Sequence, residues 1–426
     1  MKDDTRLLVF LIDALGHRLA RETGAFDFLP HDDGPVKSVC GYSSACLPSL
    51  LTGRLPVEHG HWGMYLRDPR RSLFRKTRPV TRIVGGLLGH DYLARRIVSR
   101  ALRASGVDGY FSLYDIPLDL LPQFDLCQKR DIYAPGGLAP YETPFDVAEQ
   151  LAIPWRGWAW QISESERRKL FAEALDKGGD RFLFFYSPLL DSVCHEHGTR
   201  SREARECLED LAGFVDEMRA RAMRNAEARV LVCGDHGMAD VHTSVDLMTP
   251  LLELPLRMPR DFLAFLDATM IRVWYFREGA RERVEGLLAR SSAGRILSDE
   301  ECAREGILFD DRRYGETIYL AHPGTMFVPS FMGRGALRAM HGYHPDDGDS
   351  DTIVRADFAH PKAASILDIG PMISNELRAM AGAKAGAMTG ATAGAMTGAA
   401  TGTMTGAATG TKAGAMHARD AERAQS

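Results

Sequence analysis

Residues 230–242 read VLVCGDHGMADVH. An apolar run ends on a glycine, then on Asp235 and His236, then on a second glycine. So short and apolar a run, bounded by glycine, is the pattern of a strand buried on both faces, as in a parallel sheet. A turn needs neither a carboxylate nor an imidazole, so Asp235 and His236 require another explanation. Two other segments end in the same way. LLVFLI (7–12) runs into Asp13, and FLFFYS (182–187) is followed by Asp191 and His195.

Helical patterns separate these runs. SESERRKLFAEALDKG (163–178) opens on a serine cap with acids in its first turn. SREARECLEDLAGFVDEMRARAMRNA (201–226) has apolar positions at helical spacing. Strands alternating with helices predict an α/β fold: a doubly wound, mostly parallel sheet with helices on both faces. Residues 1–243 and 331–378 form the expected core. Residues 66–160, rich in Arg and Pro, read as an insertion bordering it. Residues 244–330 read as a small α+β cap, with ATMIRVWYF a strand, ARERVEGLLARS a helix and GETIYLAHPGTMFVP a hairpin or strand pair. From 379 to 426 the chain becomes an imperfect repeat of Ala, Gly, Thr and Met. That stretch is too poor in large apolar residues to build a core and is expected to be disordered.

Bulk properties narrow the function. The 426 residues are 45% hydrophobic and 26% charged, with a formal net charge of −5, which gives no reason to expect a nucleic-acid polymer as the main partner. The arginines of RDPRRSLFRKTRP (67–79) fit either a solvated basic loop or a contact with a phosphate or anionic head group. The seven cysteines are odd in number, scattered and without a CxxC pair, so reduced thiols and a cytoplasmic enzyme are expected. The N-terminus lacks the pattern of a signal peptide, and no apolar stretch approaches a membrane span.

In an open parallel sheet, ligands bind beyond the carboxyl ends of the strands. Acids brought together there repel one another and raise each other's pKa. Divalent cations remove that repulsion and explain why histidines accompany the acids. A mixture of Asp and His suits zinc, with manganese or iron as substitutes. RAMHGYHPDDGDS (338–350) adds His341, with His344 in reserve. The candidate metal ligands are therefore Asp13, Asp191, His195, Asp235, His236 and His341.

A nucleophile completes the set. In GYSSACLPSLLTGRLPVEHGHWG (41–63) a serine pair precedes a short helix ending at Thr52-Gly53. A hydroxyl near a helix N-terminus lies where free N–H groups favour an anion. A metal beside it makes it nucleophilic.

At this point the sequence resembles the alkaline phosphatase superfamily, and most closely its type I phosphodiesterase and nucleotide pyrophosphatase branch. LIDALG, the serine segment through SLLTGRLPVEHG, DSVCHEHG, GDHGM and HGYHP carry the likeness across most of residues 7–345. In that family the nucleophile lies nine residues before the Thr of the TG pair, which gives Ser43, with Ser44 as second choice. The resemblance implies two divalent metal ions, zinc with manganese as the alternative. Asp13, Ser43, Asp235 and His236 would surround one, and Asp191, His195 and His341 the other. It implies hydrolysis of a phosphodiester or pyrophosphate bond in a small phosphorylated substrate, through a phosphoseryl intermediate. The sequence departs from the branch in HGHWGMYLRD, which lacks the usual Asn; His61, Arg67 or an insertion arginine are the candidate replacements.

Rival readings share the fold. A sulfatase needs Cys or Ser in C/S-x-P-x-R; CLPSL (46–50) mimics its start but has Leu50 for the Arg. Phosphomonoesterases and phosphotransferases of the superfamily stay open. A non-catalytic binding protein on a degenerate hydrolase fold predicts missing ligands, and none is missing.

Overall fold

Six strands make the central sheet: β1 (Arg6–Ile12), β2 (His31–Asp32), β3 (Trp155–Trp158), β4 (Phe182–Ser187), β5 (Ala228–Cys233) and β6 (Val354–Ala356). Their order is β2-β6-β5-β1-β4-β3. β1 lies at the centre and pairs in parallel with β4 and β5, while β3 pairs in parallel with β4. Only β6 runs antiparallel, against both β5 and β2. The structure, a computed structural model, describes residues 5–81, 83, 91–224 and 226–392, the side chains of 383–392 excepted.

The alternation along β1 shows why the sheet must be covered twice. Leu7, Val9 and Leu11 enter one core cluster, and Leu8, Phe10 and Ile12 enter another on the opposite face. Six helices matter for that coverage and for the site: α1 (Ser43–Thr52), α2 (Asp91–Ala104), α3 (Glu164–Lys177), α4 (Leu189–His197), α5 (Arg202–Met223) and α6 (Ile369–Thr392). α1 and α6 cover the first face with Cys46, Leu50, Ile369 and Ile373. α3 and α5 cover the second with Phe171, Leu175, Leu211 and Phe214. There Phe171 and Phe214 pack around Phe10 and Phe185, with centroids 5.1–6.2 Å apart. Full burial of each such ring stabilises the fold by about 1.5–3 kcal/mol. The serine cap read in the sequence is present, Ser163 accepting from the Glu166 amide, and Ser201 caps the next helix by accepting from the Ala204 amide. The doubly wound α/β architecture is therefore the one expected.

Three boundaries differ from the sequence reading. Trp155–Trp158, placed in the first insertion, is instead the edge strand of the central sheet. The alternating WRGW is too short to stand out in an Arg-rich, Pro-rich context. In the cap, Phe262–Leu266, Met270–Tyr275, Thr317–Ala321 and Gly294–Ile296 form a four-stranded antiparallel sheet in that order. The segment 315–329 does give two strands, but not a hairpin. Thr325–Phe327 leaves its neighbour and pairs in parallel with Thr243–Val245. Finally, α6 continues as helix to Thr392, past the start of the expected disorder at 379; Ala-rich sequence has high helix propensity, and the helix is already nucleated on the core. Residues 393–426, the rest of that expectation, lie outside the described residues.

Candidate active site

The carboxyl ends of three neighbouring strands are level. Ile12 pairs with Ser187, and Leu11 with Cys233. The Asp13 amide donates to the Ser187 carbonyl at 2.9 Å, which fixes where the first acid leaves the sheet. Ala14 then turns through a left-handed conformation (φ 59°), and its amide donates to Asp235 Oδ1 at 3.3 Å. A non-glycine residue in that region carries local strain that the surrounding structure must hold.

The two glycines around Asp235-His236 are explained by crowding. A Cβ on Gly234 would lie 2.2 Å from Thr352 Oγ1, and one on Gly237 would lie 2.2 Å from the Asp349 carbonyl. The chain leading into β6 packs directly behind the acid and the imidazole, and only glycine leaves room for it.

Asp191 and His195 sit one turn apart on α4, with Oδ1 and Nε2 3.3 Å apart. His341 Nε2 lies 3.6 Å from the same oxygen, and its ring stacks on His236 at 3.9 Å. His236 Nε2 lies 3.3 Å from Asp13 Oδ1 and 3.4 Å from Asp235 Oδ2. Asp13, Asp235 and His236 thus form one group, and Asp191, His236 and His341 a second. Within each group the potential ligand atoms lie within 4.8 Å of one another. Ser43 opens α1, and its Oγ is 3.0 Å from His236 Nε2 and 3.5 Å from Asp13 Oδ1.

Electrostatics sharpen the picture. Burial, then the charges of Asp235 and Asp191, push Asp13 well above the usual carboxylate range. Burial, with Asp191 adding to it, pushes Asp235 up to about 7. Burial also acts to raise Asp191, but His195, His341 and His236 outweigh it and hold Asp191 below the usual range. Burial opposes charge on His195, yet Asp191 raises it to about 9. Burial and the adjacent His236 hold His341 well below the ordinary imidazole range.

The donor set fits divalent cations. Among the described residues, Asp191 Oδ1, Asp235 Oδ2 and His341 Nδ1 are buried without a hydrogen-bond partner, a costly state that a cation relieves. His195 Nδ1 donates to the Ala339 carbonyl at 2.8 Å and His236 Nδ1 to the Gly237 carbonyl at 2.9 Å. Both Nε2 lone pairs are thereby turned toward the carboxylates, the usual arrangement behind a ligating histidine.

Residues 37–344 match the family model for type I phosphodiesterase / nucleotide pyrophosphatase. The chain belongs to this family. It is therefore a hydrolase of the phosphodiesterase / nucleotide pyrophosphatase type, in a metal-dependent family. No curated protein matches it in sequence. Its fold is similar to solved structures of murine and human ectonucleotide pyrophosphatase / phosphodiesterase 5. Each has a TM-score of 0.62 at 14% identity, covering 88% of this chain and 95% of the other. An inactive variant of the murine protein in complex with AMP has a TM-score of 0.61 at 14% identity, covering 89% and 95%. Among the described residues of this phosphodiesterase family member, no helix is long and apolar enough to cross a membrane.

All seven residues singled out in the sequence, Ser43 included, meet at this place. The reserves do not. His344 faces Glu305 and Asp346, at 3.9 and 3.6 Å. His61 lies beside Cys127, and the Arg67 guanidinium stacks over Phe276. Cys46, the position that mimicked a sulfatase, is fully buried on the inner side of α1 against Ser38. Sequence reading missed Tyr186 and Tyr42. Tyr186, on β4, donates to Asp13 Oδ2 at 2.5 Å. Tyr42 packs edge-on against His341, and its Oη accepts from the Thr269 amide of the cap at 2.9 Å. A tyrosine near the end of an otherwise apolar strand was the available signal for the first. For the second the signal was its place directly before Ser43.

Metal-free protein is expected to lose stability as pH rises from 6.5 to 9. A raised folded-state pKa contributes stability that is present at low pH and lost on passing through that pKa. Asp235 completes this loss near 7 and His195 near 9. His341, shifted down, acts in the opposite direction, but its effect is complete by its ordinary value of 6.5. A net loss on the order of 2 kcal/mol lowers Tm by about 2–5 °C. Thermal melts in EDTA across that range test this, and an unchanged or rising Tm contradicts it.

Proposed function

We propose that this protein hydrolyses a phosphodiester or pyrophosphate bond in a small phosphorylated substrate through a covalent phosphoseryl intermediate on Ser43. The single observation that carries this reading is the position of Ser43 Oγ, at the start of α1, 3.0 Å from His236 Nε2 and 3.5 Å from Asp13 Oδ1, beside a group of side chains that could hold a metal ion. Two divalent ions, zinc or manganese, are the proposed cofactors. Asp13, Asp235 and His236 would hold one beside Ser43, and Asp191, His195 and His341 would hold the other. When bound, such ions supply charge neutralisation to phosphoryl oxygens at the reaction centre.

The chain's own groups do the rest. Ser43 Oγ releases its proton to solvent and bonds to phosphorus in line with the departing oxygen, whose bond to phosphorus breaks and which takes up a proton from solvent. Water then bonds to phosphorus as the Ser43 Oγ–P bond breaks, and the hydroxyl is restored. His236 and Asp13 aim the Ser43 oxygen, while the N–H groups at the start of α1 face the incoming anion. Tyr186 fixes the Asp13 carboxylate through its hydrogen bond.

A panel of p-nitrophenyl esters tests the substrate class with protein loaded with zinc or with manganese. Diesters are expected to be cleaved about tenfold faster than the monoester, the phosphonate monoester or the sulfate, on the argument that a pocket discriminates through the groups it contacts. Faster monoester cleavage moves the reading to a phosphatase, and faster sulfate cleavage overturns it.

A further inference from the structure

Between Arg67 and Arg103 the sequence carries eleven basic residues and two acidic ones, a local net charge of +9 in a chain whose total is −5. Some of these cations are structural. Arg95 donates to the carbonyls of Leu113 and Ile116, and Arg103 to those of Val107 and Gly109. Arg75 donates to the Arg70 carbonyl at 2.9 Å, a bond within the same basic segment. Arg70, Arg71, Arg75, Lys76 and Arg78 are exposed, and among the described residues none of them forms an ion pair. Helix α2 packs against this segment and adds to it. Its inner face is Ala94, Val98 and Leu102, all buried. Tyr92, Arg96 and Arg100 share the same four-residue spacing but are offset by two positions, about 200° round the helix. They form the outer, solvent face, with the Arg96 guanidinium over the Tyr92 ring at 5.6 Å.

Charge is not the only signal. Tyr92 is 67% exposed, Ile83 52% and Leu93 45%, high among the exposed large apolar side chains of the molecule. Arg70, Arg75 and Arg78 also line a shallow groove of about 500 Å³ with Pro69, Pro122 and Gln123. A soluble polyanion needs the cations but not the apolar residues. A bilayer surface uses both: basic groups meet anionic head groups, and Tyr, Ile and Leu enter the interfacial layer.

We propose that this face docks the protein on an anionic lipid bilayer. Neither Ser43 nor any of the acids and histidines around it belongs to this face, so the proposal stands whether or not the phosphoseryl reading holds.

The test uses the full chain and sedimentation with vesicles of phosphatidylcholine alone or with about 30 mol% phosphatidylserine. Binding at physiological salt is expected to be at least about tenfold stronger with phosphatidylserine, and to fall steeply by ~0.5 M salt. The triple variant Arg70→Glu, Arg71→Glu, Arg75→Glu is expected to abolish binding while leaving cleavage of a soluble diester unchanged, which also shows that it folds. Tyr92→Ala with Leu93→Ser keeps every cation and is expected to weaken vesicle binding while sparing any binding to a short DNA duplex. No preference for phosphatidylserine, or vesicle binding untouched by either variant, overturns the proposal. DNA binding without vesicle binding replaces it with a nucleic-acid surface.

Discussion

Ser43→Ala is expected to reduce turnover of the best p-nitrophenyl diester by about 10⁴-fold, because a lost nucleophile leaves only binding and electrostatic stabilisation to act. Metal content is expected to stay near that of the wild type. The remaining donors, Asp13, Asp235 and His236, belong to a group whose ligand atoms are already within 4.8 Å of one another. Folding is expected to be little changed. Ser43 Oγ contacts His236 and Asp13 and caps no amide, so its loss removes no element of the fold. Ser44→Ala serves as the control, since Ser44 is one position round the helix and is expected to retain turnover. Wild-type rates in the Ser43 variant, or an inactive Ser44 variant with an active Ser43 variant, exclude Ser43 as the nucleophile. Metal analysis of both proteins separates that outcome from simple failure to load.

The core was legible because its strands are buried on both faces. A continuous apolar run such as LLVFLI carries that requirement in its composition, and β1 lies in the middle of the sheet with both faces covered. Edge elements carry no such mark. β3 has only Trp158 buried in its four residues, so WRGW reads as loop although it closes the sheet. The fate of Thr325–Phe327 was hidden for a related reason. Two short apolar strands four residues apart suit a hairpin, and only the tertiary position of Thr243–Val245 draws the second one away.

Part of the side-chain cluster was legible from local sequence: Asp13 and Asp235 follow strand ends, and Asp191 and His195 lie one helical turn apart. Their supports were not. The Ala339 and Gly237 carbonyls that orient His195 and His236 are backbone groups and leave no residue signature. Tyr42, the residue before Ser43, is held from the cap, with the Thr269 amide on its hydroxyl and the Thr269 hydroxyl donating toward the His341 and Gly342 carbonyls at 3.2 Å. This ties the cap to the loop carrying His341. The glycines around Asp235 were visible, but their cause, the chain at 349–352 passing behind them, was not.

Asp235→Asn is expected to change stability and activity in opposite directions. Asp235 Oδ1 accepts from the Ala14 and His236 amides, and an Asn oxygen can keep both bonds. The other oxygen, Oδ2, is fully buried, has no hydrogen-bond partner among the described residues, and faces His236 Nε2 at 3.4 Å. It is also one of the charges that push Asp13 upward. Without metal, its ionised form is therefore a buried charge held beside others of the same sign, and burial raises its own pKa to about 7. At pH 8 and in EDTA, replacing it with a neutral amide of the same shape is expected to stabilise the protein by on the order of 2 kcal/mol. The decline of Tm with pH should flatten over the same interval. With metal supplied, the order reverses: the wild type gains stability from the bound ions by mass action. The variant gains little, because an amide offers the cation no charge. Its diester turnover is expected to fall to background. Melts of both proteins with EDTA and with zinc decide the matter. A variant less stable than the wild type in EDTA, or equally stabilised by zinc, removes Asp235 from the proposed ligand set.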